Sequence, residues 1–136
     1  MRTLAVRQPW ATHIAEGTKI VELRSWQTKY RGPVLIAASG KPLKVTNDNG
    51  VIETLPTQVL VCVVDLINVF DVTAENLDDV IEMAGCSTAP GFHYAWLLNN
   101  PRMVRPVPHK GKLNLYETPE TAIEYLPPDL HFLDAA

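Results

Sequence analysis

The stretch Gln58-Val59-Leu60-Val61-Cys62-Val63-Val64-Asp65-Leu66-Ile67-Asn68-Val69-Phe70 gives the longest strand signal in this chain of 136 residues. Most of its first half is apolar at consecutive positions rather than at every second one. Strands that are buried on both faces have such continuous apolar runs, whereas a strand with one face in water alternates. The stretch therefore predicts a central strand that is covered on both sides.

Shorter strand and helix signals surround this central strand. Apolar and β-branched runs predict five further strands: Thr3–Val6, Lys19–Arg24, Val34–Ser39, Tyr94–Leu98 and Gly111–Tyr116. Pro9 is expected to open a helix that Gly17 closes, because proline suits the first turn and glycine the C-terminal end. A second helix is expected to run from its cap at Thr73 to Gly85. A short third helix is expected to start at Thr118-Pro119.

The segments between these elements are rich in turn-forming residues. Residues 40–57 are interpreted as a long loop with one hairpin at Asn49-Gly50. Three prolines indicate an extended edge segment: Pro101, Pro106 and Pro108. Together the elements predict a mainly β fold of the α+β class, a small β-barrel with short helices at its ends. An open α+β sheet is the alternative, because periodicity does not determine whether a sheet closes.

The length of the chain falls in the usual range for one domain. We expect a single domain over residues 1–136, with a core from about residue 3 to 126 and an irregular tail over 127–136. Cys62 and Cys86 are too few for a disulfide framework, and neither has the close-spaced second ligand of a zinc site. No metal or cofactor is therefore predicted. The early charges of the segment Met1–Arg7 argue against a signal peptide, so a cytoplasmic protein with no membrane partner is expected.

The charge of the chain is unevenly distributed. The formal net charge is −3 and the pI is about 5.7, which argues against a protein that coats duplex DNA without specificity. Yet eight of the 12 lysines and arginines lie within the first 44 residues, where the only acids are Glu16 and Glu22. This N-terminal third is the cationic part of the chain, and a local basic pocket is compatible with the acidic total.

The segment Gly17-Thr18-Lys19-Ile20-Val21-Glu22-Leu23-Arg24 carries the strongest candidate for chemistry. On a regular strand Glu22 and Arg24 share one face, and Lys19 joins them only if it projects from a turn after Gly17. Such a set has two positive charges and one negative charge, so Glu22 would orient both cations and the surplus charge would attract an anion such as a phosphate. The alternative is a surface ion-pair ladder that contributes little.

Several other side chains are candidates for ligand contacts. Trp10, Trp26 and Tyr94 are aromatics that could stack on bases, and both tryptophans lie beside charged residues, as expected at a half-exposed rim. Trp96 is assigned to the core. Ser39 follows a buried strand and is expected to point its hydroxyl at the same cavity. The segment Lys110-Gly111-Lys112 forms a second small basic spot.

Taken together, several segments resemble the ASCH domain family. The resemblance rests on Arg7-Gln8-Pro9-Trp10-Ala11, the spacing Gly17-x-Lys19-x-x-Glu22-x-Arg24, Trp26, Arg31-Gly32, Tyr94-Ala95-Trp96, Asn100-Pro101-Arg102 and Lys110-Gly111-Lys112-Leu113. It extends from Leu4 to about Tyr116. It implies a β-barrel of the PUA-like superfamily, a cleft lined by the motif, and a role in binding RNA or nucleotides.

The resemblance also implies enzymatic alternatives. Family members include single-strand ribonucleases and small amidohydrolases that deacetylate N(4)-acetylcytidine. In the amidohydrolases the position three residues after the lysine is a threonine nucleophile, and here that position is Glu22.

Three functional hypotheses follow. The first is an RNA- or nucleotide-binding domain with metal-independent single-strand ribonuclease activity, in which Lys19 and Glu22 are catalytic. Its substrate-binding residues are Trp10, Arg24, Trp26, Ser39 and Tyr94. The second is a nucleoside amidohydrolase with Glu22 as base, and the third is a non-catalytic nucleic-acid or protein-interaction module. The sequence does not indicate an oligomeric state.

Overall fold

The computed structural model describes residues 1–86 and 91–135, and strands dominate that part of the chain. The eight strands are β1 (Arg2–Arg7), β2 (Val21–Arg24), β3 (Gly32–Ser39), β4 (Leu43–Thr46), β5 (Ile52–Leu55), β6 (Val59–Asp71), β7 (Tyr94–Met103) and β8 (Leu115–Glu117). The helices are α1 (Trp10–Glu16), α2 (Leu77–Ala84) and two short 3-10 helices, Glu120–Ala122 and Phe132–Asp134. The mainly β class expected from the sequence is confirmed.

Six strands form one curled sheet in the order β2-β7-β6-β3-β1-β8. All neighbours are antiparallel except β1 and β3, which run parallel. Bulges interrupt β6 against both of its neighbours, and bulges bend strands and increase their twist. Within the described residues β2 and β8 are the edges and no ladder joins them, so the half-barrel is observed and the closed barrel is not.

The strand β6 lies at the centre of the sheet, between β3 and β7. Every residue from Leu60 to Val64 is buried, which confirms the predicted burial on both faces. One face packs against Ile14 of α1 and against Phe132 in a cluster that also contains the fully buried Trp96. The other face packs into a separate cluster that contains Val104.

The helix α1 has the boundaries expected from Pro9 and Gly17, shifted by one residue at its start. Pro9 is the N-cap, and its carbonyl accepts a hydrogen bond from the His13 amide at 3.0 Å. Gln8 fixes this end, because its Oε1 accepts hydrogen bonds from the amide and the hydroxyl of Thr12 at 3.1 and 2.9 Å. The segment Gln8-Pro9 therefore serves to position α1 on the sheet.

Residues 40–57 are not the long loop that the sequence suggested. They contain the antiparallel pair β4–β5, whose short strands lack the apolar run that marks β6. The hairpin expected at Asn49-Gly50 is confirmed, because Asn47 Oδ1 accepts hydrogen bonds from the Asn49 and Val51 amides, both at 3.0 Å. This side chain closes the turn in the manner of an Asx turn.

The start of α2 and the C-terminal helix also differ from expectation. Helix α2 begins after Asn76 rather than after Thr73. The Thr73 amide donates to Asn76 Oδ1 at 2.8 Å and the Asn76 amide donates to Thr73 Oγ1 at 3.3 Å, so these two side chains close a separate turn before the helix. Gly85 ends the helix as predicted, with φ of 67°. The short helix expected after Thr118-Pro119 is the 3-10 helix Glu120–Ala122.

The start of the last strand and the C-terminal tail depart from the sequence expectations, whereas the position of Pro101 agrees with them. Pro101 lies in the last part of β7, which pairs with β6 and has no second neighbour among the described strands because β2 pairs only with β7 up to Leu97, so the expected edge position of this proline is confirmed. The last strand begins at Leu115 rather than Gly111. Residues 127–135 are not merely irregular, because Phe132 in their 3-10 helix is 0% exposed. The expected end of the core near residue 126 is therefore wrong.

Candidate functional site

The turn after α1 decides where Lys19 points. Gly17 has φ of 81°, a left-handed conformation in which a side chain would be strained. The amides of Thr18 and Lys19 both donate to the His13 carbonyl, at 3.0 and 3.1 Å. Strand β2 then starts only at Val21, so Lys19 lies in the turn and is free of the strand alternation that would have turned it away from Glu22.

The end of α2 receives this turn. The last carbonyls of a helix lack partners within the helix, and here the Ile20 amide donates to the Met83 carbonyl at 3.0 Å. The Lys19 ammonium donates to the Ala84 carbonyl at 2.7 Å. A cation at a helix C-terminus also interacts favourably with the helix dipole. The turn and α2 therefore hold the Lys19 side chain, which is 1% exposed.

Glu22 lies between two cations. Its Oε1 is 3.6 Å from Lys19 Nζ. Its Oε2 accepts hydrogen bonds from Nη2 and Nε of Arg24, at 2.8 and 3.2 Å. Arg24 Nη2 also donates to the Ala5 carbonyl at 2.8 Å. The amine, the carboxylate and the guanidinium thus converge, and the surface ion-pair ladder is excluded because the Glu22 side chain is only 10% exposed.

These three side chains line a cleft with a volume of about 790 Å³. Its lining contains five cationic side chains and one carboxylate: Arg7, Lys19, Arg24, Lys110 and Lys112, with Glu22. Trp10, Phe92 and Leu113 add apolar surface, and Cys86 lies at the inner end with its Sγ 3.9 Å from Lys19 Nζ. The cleft is therefore strongly positive in a chain whose net charge is negative.

The structure separates the aromatic residues that the sequence grouped together. Trp10 and Ser39 line the cleft. Trp26 does not line the cleft. Its ring packs edge-on against the Trp96 ring, with the two centroids 4.8 Å apart, and its carbonyl accepts a hydrogen bond from the Trp96 indole N–H at 3.2 Å. Tyr94 packs against the main core cluster and is also outside the lining. The expected ligand contacts of Trp26 and Tyr94 are therefore not supported.

The segment before β8 is the part of the cleft that the sequence did not place. Because β8 runs antiparallel to β1, with Leu115 opposite Leu4, the residues before Leu115 continue toward the end of β1 at Arg7. Lys110, Gly111 and Lys112 thereby reach the cleft. The sequence marked them as a basic spot, but only the strand pairing places them at the cleft that Lys19 also lines.

Two ionisable side chains next to this segment have altered pKa values. Burial lowers the pKa of His109, and the charge of Lys112 lowers it further. Burial raises the pKa of Tyr116, whose hydroxyl is 2.8 Å from His109 Nε2. The two rings stack with centroids 5.8 Å apart, so the pair anchors the segment between them.

The two cysteines have different environments. Cys62 is fully buried in β6, and burial raises the pKa of its thiol far above the usual value. Cys86 is half-buried at the cleft. Among residues 1–86 and 91–135 no group of three His, Cys, Asp or Glu side chains is arranged to hold a metal ion. No helix in that same part of the chain has the length and apolar character needed to cross a bilayer.

Fold and cleft together define a β-rich domain with a positively charged pocket. The sequence model of the ASCH domain matches residues 4–108, and the chain belongs to this family. The family is linked to RNA binding. The match confirms the family resemblance over residues 4–108, and the segment Lys110–Leu113 lies beyond the matched range.

Similarity to curated proteins is confined to a short segment. The chain is 53% identical over 38 residues to activating signal cointegrator 1 of Mus musculus and of Homo sapiens. This segment is 28% of the present chain and only 6% of either relative. The chain thus matches a small fraction of those proteins' length.

Solved structures share the fold. The crystal structure of ASCH from Zymomonas mobilis superposes with a TM-score of 0.65 at 14% identity, covering 89% of each chain. A serine-to-alanine mutant of the Zymomonas mobilis protein gives a TM-score of 0.55 at 15% identity, covering 93% of this chain and 88% of that one. At such identities the likeness concerns the fold alone.

Proposed function

We propose that the cleft binds single-stranded RNA or a nucleotide derived from it. The observation that carries this proposal is the charge of the lining, in which five cations face one carboxylate although the chain as a whole is acidic. Clefts lined by one sign of charge concentrate ligands of the opposite sign. An acidic exterior with a basic cleft favours an anion that enters one site over a duplex laid across the surface.

The apolar part of the lining fits the bases of such a ligand. Trp10, half-buried at the start of α1, and Phe92, which is 43% exposed, both lie at the cleft. Base stacking on an aromatic side chain is worth about 1–3 kcal/mol per base and is sequence-tolerant. Duplex bases are already stacked on each other, so exposed aromatics in a cleft favour a single strand.

Arg24 is the inner residue best suited to hold a phosphate. Its Nε and Nη2 donate to Glu22 and Ala5, while Nη1 has no hydrogen-bond partner among the described residues. The side chain is 23% exposed, so a ligand oxygen can reach it. Glu22 fixes the guanidinium plane in advance, which lowers the entropic cost of the contact.

The test is a titration of intrinsic fluorescence with a short single-stranded oligouridylate. We expect stacking on Trp10 to quench part of the tryptophan emission, so Trp10→Phe removes the quench and weakens binding about fivefold or more. The matched control is Trp26→Phe. Trp26 is also half-buried but lies outside the cleft, so this variant is expected to keep both the quench and the affinity. Equal behaviour of the two variants would argue against stacking in the cleft.

Ribonuclease activity is the second candidate, favoured by the position of Lys19 beside Glu22 at the inner end of the cleft. In this proposal the ribose 2′-hydroxyl attacks the adjacent phosphorus and gives its proton to a solvent water. The bond to the 5′-oxygen breaks and that oxygen takes a proton from solvent, so a 2′,3′-cyclic phosphate and a 5′-hydroxyl result. Arg24 holds the phosphate and Lys19 stabilises its growing negative charge. Glu22 positions both cations rather than taking the proton, because each of its oxygens already faces a cation.

Incubation of single-stranded RNA with chelator present separates the catalytic from the binding function. We expect Lys19→Met to lose cleavage relative to wild type while retaining most binding, since methionine preserves the buried volume of the stem and Glu22 keeps its ion pair with Arg24. Binding without cleavage by either protein would favour the non-catalytic module. The amidohydrolase alternative predicts cytidine formation from N(4)-acetylcytidine, and we expect none, because a carboxylate held by two cations occupies the nucleophile position.

A further inference from the structure

The cations of the cleft fall into two groups with different availability. Lys19 and Arg24 are both paired with Glu22. Arg7, Lys110 and Lys112 are exposed, and among the described residues none of them takes part in an ion pair with a carboxylate. The inner group of two cations and one carboxylate has a net charge of +1 and the outer group of three cations has +3, so most of the uncompensated positive charge lies at the outer part of the cleft.

The sheet topology brings this outer group together. Because β1 and β3 run parallel, with Arg7 opposite Ser39, their carboxyl ends lie at the same edge. Gly40 follows Ser39, and the position of a Cβ on it would be 3.5 Å from the Arg7 stem. A Cβ on Gly111 would be 3.0 Å from Ala5 and 3.9 Å from Ser39. The Lys110–Lys112 segment is thus seated directly against the edge that carries Arg7.

The Lys110–Lys112 segment is also held in place at both ends. The His109 amide donates to the Gln58 carbonyl at 2.7 Å, and the His109 ring contacts the Tyr116 hydroxyl at 2.8 Å. The Lys112 ammonium lies 5.9 Å from the centroid of the Tyr116 ring. Such anchoring reduces the entropy lost when a ligand binds, so these lysines are better placed than those on a loose loop.

From this arrangement we infer an outer phosphate subsite formed by Arg7, Lys110 and Lys112, separate from the inner Lys19–Glu22–Arg24 group. The inference rests on the proposed function and narrows its ligand class. The ligand is a nucleotide chain that places one phosphate on Arg24 in the inner cleft, while the next backbone phosphate along the strand is held at the outer subsite. A nucleoside lacks that phosphate and is a poor ligand, which distinguishes this cleft from one built for nucleosides.

The experiment compares two double variants with identical charge change. Lys110→Gln with Lys112→Gln removes the subsite lysines, and Lys29→Gln with Lys44→Gln removes two exposed lysines outside the cleft lining. Each protein is titrated with a short oligouridylate and with its uncharged methylphosphonate counterpart over a range of salt concentrations. Fluorescence anisotropy of a dye-labelled strand gives the dissociation constants.

We expect the subsite variant to bind the charged strand about tenfold more weakly, with a log–log salt slope smaller by about 0.7, the value for one single-strand phosphate. Its affinity for the uncharged strand is expected to equal that of wild type. Equal affinity of the two double variants for the charged strand would overturn the subsite while leaving the proposed function intact. Wild-type protein that binds neither strand would overturn the proposed function and the subsite with it.

Discussion

Replacing Glu22 by glutamine is expected to reduce the free energy of unfolding by about 3–5 kcal/mol, the usual cost of removing one partner of a buried ion pair. The Lys19 ammonium is 1% exposed and lies 3.6 Å from the Glu22 carboxylate. Without that carboxylate, Lys19 keeps only the Ala84 carbonyl and the Cys86 sulfur as hydrogen-bond partners among the described residues. Urea denaturation at neutral pH measures the loss.

The control is a carboxylate in an exposed ion pair. Glu117 is 63% exposed and pairs with the N-terminal amine at 3.2 Å and with Arg2 at 3.4 Å, so Glu117→Gln is expected to cost less than about 1 kcal/mol. Combining Lys19→Met with Glu22→Gln is expected to recover much of the stability, because the 1% exposed ammonium is then gone and Arg24, which is 23% exposed, remains in contact with solvent and with the Ala5 carbonyl. A Glu22→Gln variant as stable as Glu117→Gln would contradict the pairing described here.

Replacing Phe132 by alanine is expected to cost about 3–5 kcal/mol, as large-to-small changes of buried aromatics do. Phe132 is 0% exposed and packs in the same core cluster as Ile14 and Trp96. The neighbouring Leu133 is only partly buried, so Leu133→Ala is the matched control and is expected to cost less. Thermal and urea unfolding check both values.

The outcome for Phe132 also separates structure from binding. The residue is not part of the cleft lining, so the folded Phe132→Ala protein is expected to bind oligouridylate as wild type does at low temperature. A Phe132→Ala protein with wild-type stability would show that the C-terminal segment contributes nothing to the core.

The features that follow from local chemistry could be predicted from the sequence. The apolar run in β6 specifies burial on both faces, and Gly17 specifies the left-handed residue that ends α1. The same glycine made it possible to predict that Lys19 joins Glu22 and Arg24, since a turn there breaks the strand alternation. The convergence of these three side chains could therefore be predicted from the sequence, on the condition that the chain turns after Gly17. Their functional roles remain predictions.

The features that depend on distant partners could not be predicted. Trp10 and Trp26 both lie beside charged residues, and only the packing of Trp26 on Trp96 of β7 assigns one to the cleft and the other to the core. The Lys110–Lys112 segment reaches the cleft because β8 pairs with β1, and no periodicity in either strand specifies that pairing. The strands of the hairpin β4–β5 have four residues each, so the apolar–polar alternation of Leu43–Thr46 is too short to distinguish a strand from a loop.

The most direct measurement of the central claim is an amide chemical-shift titration of the ¹⁵N-labelled protein with a short single-stranded oligouridylate. We predict that the largest shifts fall on the cleft edge at Ser39, Gly40, Gly111 and Lys112, with a second group around Arg24. Amides of the β4–β5 hairpin should stay unchanged at saturation. Shifts confined to that hairpin, or no shifts at millimolar RNA, would contradict the account of this cleft as an RNA-binding site.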